Sequence, residues 1–170
     1  MQVFLEILQH PTAFFSRLKT TPVHWQAPAL WLFVLFVLTT AVPLMVGVLQ
    51  PRDLLASLIF NGVSLVVLLL VALLLARGTR VLEVVGYGLL PFILAVALMG
   101  GLWFLGEIGR NVGSVLTFAA LILSLRRIFI GLSVVANPSI AWRTIILAPL
   151  LTFLFMAVPF GLVIRWIGLA

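Results

Sequence analysis

Cysteine is absent from the 170 residues. That excludes disulfides, a thiolate nucleophile and thiolate metal ligation. Charge is scarce too, at 8% of residues against roughly 25% in soluble domains. The acidic residues are only Glu6, Asp53, Glu83 and Glu107, and Tyr87 is the single tyrosine. The two histidines, His10 and His24, both precede the first long apolar run. No histidine therefore lies where a Ser-His dyad or a histidine-ligated zinc inside a membrane would need one. No HExxH, GxSxG or P-loop pattern occurs. The four carboxylates are spread along the chain and form no acid–base pair. These absences point away from an enzyme, a metal site or a bound cofactor.

What is present is apolar, at 64% of residues. There is too little polar surface to cover a globule in water. The fold class expected is all-α: a single polytopic membrane domain over residues 1–170. Five apolar runs, at about 28–49, 54–76, 82–105, 113–135 and 144–166, can each supply the roughly 20 residues that a crossing helix needs. The net charge of +6 does not suggest nucleic acid, because the basic residues are scattered between apolar runs and make no stripe on a polar domain. Residues so placed meet anionic lipid headgroups instead. With the N-terminus inside, the cytoplasmic side receives Arg17, Lys19, Arg77, Arg80, Arg126, Arg127 and Arg143, and the outer side Arg52, Arg110 and Arg165. That bias predicts a cytoplasmic N-terminus and an external C-terminus. Trp25, Trp31 and Trp142 then fall near the inner interface, and Trp103 and Trp166 near the outer one.

Residues 2–19 carry Phe4, Leu8, Phe15 and Leu18 near one face and Glu6, Gln9, Arg17 and Lys19 elsewhere. An N-terminal amphipathic helix lying in the membrane interface is the first reading, and a helix docking on a partner the second. Pro11 interrupts the pattern but suits the first position of a second short helix. The first 27 residues hold no unbroken apolar core behind a basic start, so no cleavable signal peptide is expected.

The segment Arg80-Val81-Leu82-Glu83-Val84-Val85-Gly86-Tyr87-Gly88-Leu89-Leu90-Pro91 organises the rest. Pro91 has no N–H, and its ring crowds the carbonyl of Tyr87. A helix running through here bends, and in hydrocarbon the freed group must find another partner. Gly86 and Gly88 let a neighbouring helix approach closely. Gly86, Tyr87, Gly88 and Pro91 are therefore a candidate hinge or packing centre, and a routine proline kink is the plainer reading. The second candidate site is a polar one at the inner leaflet, made of Glu83 with Arg126 and Arg127. Val112–Leu125 is too short to cross, so the fourth helix either begins earlier, through Gly109 and Gly113, or continues to Ala136, which puts the arginine pair about 12 Å inside its end. It would then bind a lipid phosphate, pair with Glu83, or simply snorkel to the interface. Asn61 and Ser64 share a face of the second span, either to hydrogen-bond another helix or to line a substrate path. Gly109 and Gly113 make a small-xxx-small match at the start of the fourth.

Two short segments carry a resemblance. Gly86-Tyr87-Gly88-Leu89-Leu90-Pro91 resembles the Gly-Tyr-x-Leu-Leu-Pro segment of the Yip family, the Ypt/Rab-interacting polytopic membrane proteins. His10-Pro11-Thr12-Ala13-Phe14-Phe15-Ser16-Arg17-Leu18 resembles the opening of its bacterial members. The longer N-terminal region with an Asp-Leu-Tyr-Gly-Pro motif in eukaryotic members has no counterpart here, so the resemblance does not bring Rab-type GTPase binding with it. What it implies is a non-catalytic organiser or scaffold in a bacterial plasma membrane. Such a protein acts through membrane lipids, anionic ones included, through membrane-protein partners or through further copies of itself. The alternative is a small transporter or lipid-translocating protein built around Pro91, Asn61 and the arginine pair.

Overall fold

The computed structural model describes the backbone of residues 2–45, 47, 50, 54–76, 78 and 80–166, and the side chains of these from 5 to 155. Among the described residues the chain is helical throughout, with no strand. The helices are α1 (Gln2–Gln9), α2 (Pro11–Thr20), α3 (Gln26–Met45), α4 (Leu54–Ala76), α5 (Val81–Gly88), α6 (Leu90–Leu102), α7 (Gly106–Val135) and α8 (Pro138–Trp166), with a single 3₁₀ turn at Trp103–Leu105. Among the described residues four helical segments are long and apolar enough to cross a membrane: Gln26–Met45, Leu54–Ala76, Val81–Val135 and Pro138–Phe155. The chain is thus of integral membrane type.

The third of these segments, 55 residues long, would measure about 80 Å if straight. It is a hairpin instead. Gly106 takes φ 75°, a left-handed conformation that glycine adopts without steric penalty, just after the 3₁₀ turn. Contacts then run in opposed order along the two arms. A Cβ on Gly109 would strike the Leu102 carbonyl, and one on Gly113 would meet Met99 at 3.3 Å. Phe92 reaches Ser124, and Gly88 lies on Ile128. This is antiparallel packing of α5 and α6 against α7, and the Gly109/Gly113 pair sits at the close approach beside the turn.

Several sequence boundaries shift. The second run and α4 coincide at 54–76. The fourth helix begins at Gly106 rather than 113 and still reaches Val135, so it is extended at its start and complete at its end. The last helix starts at Pro138 rather than 144. There Asn137 Oδ1 accepts from the Ile140 N–H at 2.8 Å, a side-chain cap that sequence hydropathy does not register. The end expected for the first run at 49 lies outside the described residues. So do Arg52, Asp53, Arg77 and Thr79, and the side chains of Phe4, Arg165 and Trp166.

Residues 2–20 form two short helices, and Pro11 opens the second at its first turn. Three of their apolar side chains are covered by the chain's own bundle, while Leu5 stays exposed. Ile7 and Phe15 are completely buried, and Phe14 nearly so. Phe15 packs over Gly131 of α7, where an added Cβ would stand 3.0 Å from its ring and 2.6 Å from Val84. Phe14 meets Tyr87 edge to face at 5.3 Å, an arrangement favoured by the ring quadrupoles. The partner for the N-terminal apolar face is therefore the end of the bundle where α5 begins and α7 finishes. Leu8 and Leu18, expected on the apolar face, are half-buried there. Ile7 and Phe14 take the deeper places.

Candidate functional site

The end of the bundle under α1 and α2 holds three charged side chains that are wholly or largely buried. Each is directed at the backbone of the N-terminal segment. Arg127 of α7 is 7% exposed. Its Nε donates to the Ile7 carbonyl at 2.9 Å and its Nη2 to the Leu8 carbonyl at 3.0 Å. Both carbonyls belong to the last turn of α1, where intrahelical donors run out and a positive charge also suits the helix dipole. Arg80 treats α2 in the same way. Its guanidinium donates to the Leu18 carbonyl, and through Nη2 to the Thr21 carbonyl at 2.5 Å. Glu83, one turn further on, is fully buried. Its Oε1 accepts the His24 N–H at 2.8 Å, and its Oε2 lies 3.7 Å from Arg80 Nη1. The site thus fastens both short helices and the connection into α3.

Of the expected trio, Glu83 and Arg127 lie at the same end of the bundle, as separate anchors of the N-terminal segment rather than as a pair. Among the described residues no ion pair joins Glu83 to either arginine. Arg80 takes that role because it lies three residues before Glu83 on the same helix face. The adjacent arginines point apart, as neighbours on a helix must, and Arg126 is exposed on the outer surface of α7. Nearby, Phe129 stacks against Trp142 of α8 at 4.7 Å, and Trp142 is largely exposed.

The helix through Pro91 is interrupted for a single residue: Leu89 keeps helical dihedrals, and the Leu89 and Ile93 N–H groups still donate to the carbonyls of Val85 and Leu89 at 3.0 Å. α5 stops at Gly88, Leu89 forms a turn, and α6 restarts at Leu90 with the proline in its first turn. The expectation of a freed polar group is met on the donor side. The Phe92 N–H leaves the helical ladder and is received at 3.2 Å by the Oγ of Ser124 on α7. Ser124 has no exposed surface. Gly86 and Gly88 act as packing positions. A Cβ on Gly86 would stand 2.5 Å from Pro28 Cβ and 2.8 Å from its Cα, and one on Gly88 would stand 2.5 Å from Ile128 Cγ1. Backbones of α3 and α7 thus close on α5 from two sides, with Tyr87 covered in part by Phe14.

Asn61 and Ser64 divide their roles. Asn61 Nδ2 donates to Thr40 Oγ1 of α3 at 3.1 Å and to Ser57 Oγ at 3.4 Å, joining α3 to α4. Ser64 lines a cleft of about 400 Å³ between α3, α4 and α8. Ser124, Thr40 and Arg80 are the working polar residues that composition and spacing did not single out. An isolated serine in an apolar helix gives no sequence signal of which backbone group it faces. Compared with protein-family models, curated proteins and solved structures, the chain matches none. Among the described residues no cluster of His, Cys, Asp and Glu could hold a metal ion.

Two outcomes follow from these contacts. Arg127→Gln should destabilise the protein in detergent by about 1.5–3 kcal/mol, the usual worth of hydrogen bonds to a charged group. It should also open residues 2–24 to protease, while Arg126→Gln changes neither; thermal unfolding and limited proteolysis report both. Ser124→Ala should cost about 1–3 kcal/mol by stranding the Phe92 N–H. The loss should shrink in a Pro91→Ala background, where a continuous helix can take that N–H back. A double-mutant cycle measures the coupling. Equal losses in both backgrounds would mean that Ser124 acts independently of the proline break.

Proposed function

We propose that this chain is a non-catalytic, Yip-like organiser of a bacterial plasma membrane that works through lipid or membrane-protein partners, further copies of itself included. The observation that carries the reading is the use of the buried charges. Arg80, Glu83 and Arg127 are committed to fixing α1, α2 and the entry to α3 on the bundle. A rigid platform at one membrane face results, and no proton or ion relay is built from those groups. Arg126 stays available for headgroups beside exposed Trp142, and an anionic phosphate is the natural counter-charge there. The family name rests on the two short segments quoted above and on this architecture.

In the same reading the hairpin at Val81–Val135 crosses twice, giving five crossings in all. Arg17, Lys19, Arg80, Arg126, Arg127 and Arg143 then gather at the end bearing α1 and α2. Arg110, held 5.5 Å over the Trp103 ring, lies at the other. The positive-inside bias puts the first end in the cytoplasm, with α1 and α2 lying along the interface.

The second reading, a lipid-translocating protein, is favoured by the cleft between α3, α4 and α8. Reconstitution separates the two. In phosphatidylethanolamine vesicles containing phosphatidylglycerol, the organiser should retain phosphatidylglycerol through purification, measured by native mass spectrometry. Arg126→Gln should lower that retention severalfold. Fluorescent lipid should cross the bilayer no faster than in empty vesicles. Protein-dependent crossing would replace the organiser with the translocator. Because the chain has no cysteine, single-cysteine labelling tests the orientation. Ala136→Cys should react only from the cytoplasm and Asn111→Cys only from outside, and reversed labelling would invert the assignment.

A further inference from the structure

The cleft that Ser64 lines does not end at the bundle surface. It adjoins a second, smaller void of about 280 Å³ deeper among α4, α5, α6, α7 and α8. Both voids are walled by Leu35, Leu65, Leu68 and Pro149. The two ends differ in chemistry. The outer cleft carries Thr39, Asn61, Ser64 and Thr152. The inner void is lined by aliphatic and aromatic side chains, with Thr144 as its only polar lining residue. From Asn61 to Ala72, a lining residue eleven positions further along α4, is about 16 Å. The two adjoining voids thus lead from neutral polar groups at the mouth to an apolar interior.

We propose that this space holds one acyl chain of a membrane glycerolipid, its ester at the Asn61/Ser64 mouth and its tail in the inner void. Such a lipid requires only that the chain spans a bilayer and is independent of the organiser role. Water does not fill an apolar void of this kind, and an empty one leaves its lining without dispersion partners. The medium around a membrane bundle supplies acyl chains, and the mouth opens at the bundle surface beside exposed Phe153. Its depth is suitable. Asn61 lies about 10 Å inside the start of α4, at the end of the bundle opposite α1 and α2. The ester of a lipid in that leaflet sits below its headgroup, and its tail runs inward as the space does.

The polar groups select an ester over a carboxylate. Among the described residues no Lys or Arg lines either void. The hydroxyls of Thr39 and Thr152 donate to the carbonyls of Phe36 and Ala148 on their own helices. Asn61 Nδ2 is directed to Thr40 and Ser57. The Ser64 hydroxyl makes no hydrogen bond among the described residues, which leaves it to donate to an ester carbonyl. Within the inner void Thr144 Oγ1 is the single hydroxyl among the described lining residues, and one neutral group does not change the apolar character of the rest.

The test uses the full chain in phosphatidylcholine vesicles doped with photoreactive phosphatidylcholine. One probe carries its diazirine beside the acyl ester, the other at the chain end. The ester-side probe should label around Asn61 and Ser64, and the chain-end probe around Leu125 and Ala148, both mapped by peptide mass spectrometry. Ala72→Phe, which fills the inner void, should cut chain-end labelling at Leu125 at least fivefold while ester-side labelling persists. If that variant fails to fold, the wild-type pattern decides alone. Labelling by both probes at outward positions such as Leu74, Val115 and Phe118, without Leu125 or Ala148, would overturn the proposal. So would displacement of the glycerolipid by a fatty acid, or protein–protein cross-links through Phe153 that exclude the probes. Lipid crossing in the reconstitution assay leaves this labelling pattern unaffected, so the two readings fail separately.

Discussion

Backbone groups that leave a helical ladder in apolar surroundings must be received by something else, and this requirement shapes the structure. It arises at the ends of α1 and α2 and at the interruption before Pro91. The carbonyls of Ile7 and Leu8 take Arg127, and those of Leu18 and Thr21 take Arg80. The N–H groups of His24 and Phe92 take Glu83 and Ser124. Arg127 and Ser124 lie one turn apart on α7, facing inward, so one helix serves both the N-terminal segment and the broken span. The same charges would be costly in an apolar interior without these partners.

Close approach of backbones makes those bonds possible. Pro28 lies on Gly86, Ile128 on Gly88, and Phe15 on Gly131. A larger residue at any of the three glycines would push an element outward and lengthen the polar contacts beside it. Beside these close approaches lie the two voids, an outer cleft among α3, α4 and α8 and an inner one that reaches Val85, Leu89 and Ile128.

Much of this was legible in the sequence, and the limits have physical causes. Apolar runs long enough to cross a bilayer marked the helices, and α4 agrees at both ends. Helix starts were less visible at α7 and α8, because Gly106–Val112 and Pro138–Arg143 are polar enough to read as breaks yet are helical through a glycine turn and an asparagine cap. Gly86, Gly88 and Pro91 announced a crowded, interrupted helix. The group released was expected to be the Tyr87 carbonyl, whereas the bond seen is made by the Phe92 N–H. Which side of a broken ladder is served depends on where the neighbouring helix places its hydroxyl. Glu83 was legible as an anion in need of a partner, and Arg80 lies within reach of it on helical spacing alone; what sequence separation concealed was the His24 N–H, 59 residues away. The role of Arg127 required knowing that α1 folds back across about 120 residues of chain, which no local pattern encodes.

The central claim is that α1 and α2 are integral parts of the bundle, held by hydrogen bonds from buried charges. Hydrogen–deuterium exchange of the protein in lipid vesicles, resolved by peptide, tests this most directly. The account predicts that amides of α1, α2 and the His24 N–H exchange as slowly as those of α5, and that Arg127→Gln accelerates α1 while leaving α6 unchanged. Exchange of residues 2–24 at the rate of a free peptide in the wild-type protein would contradict it.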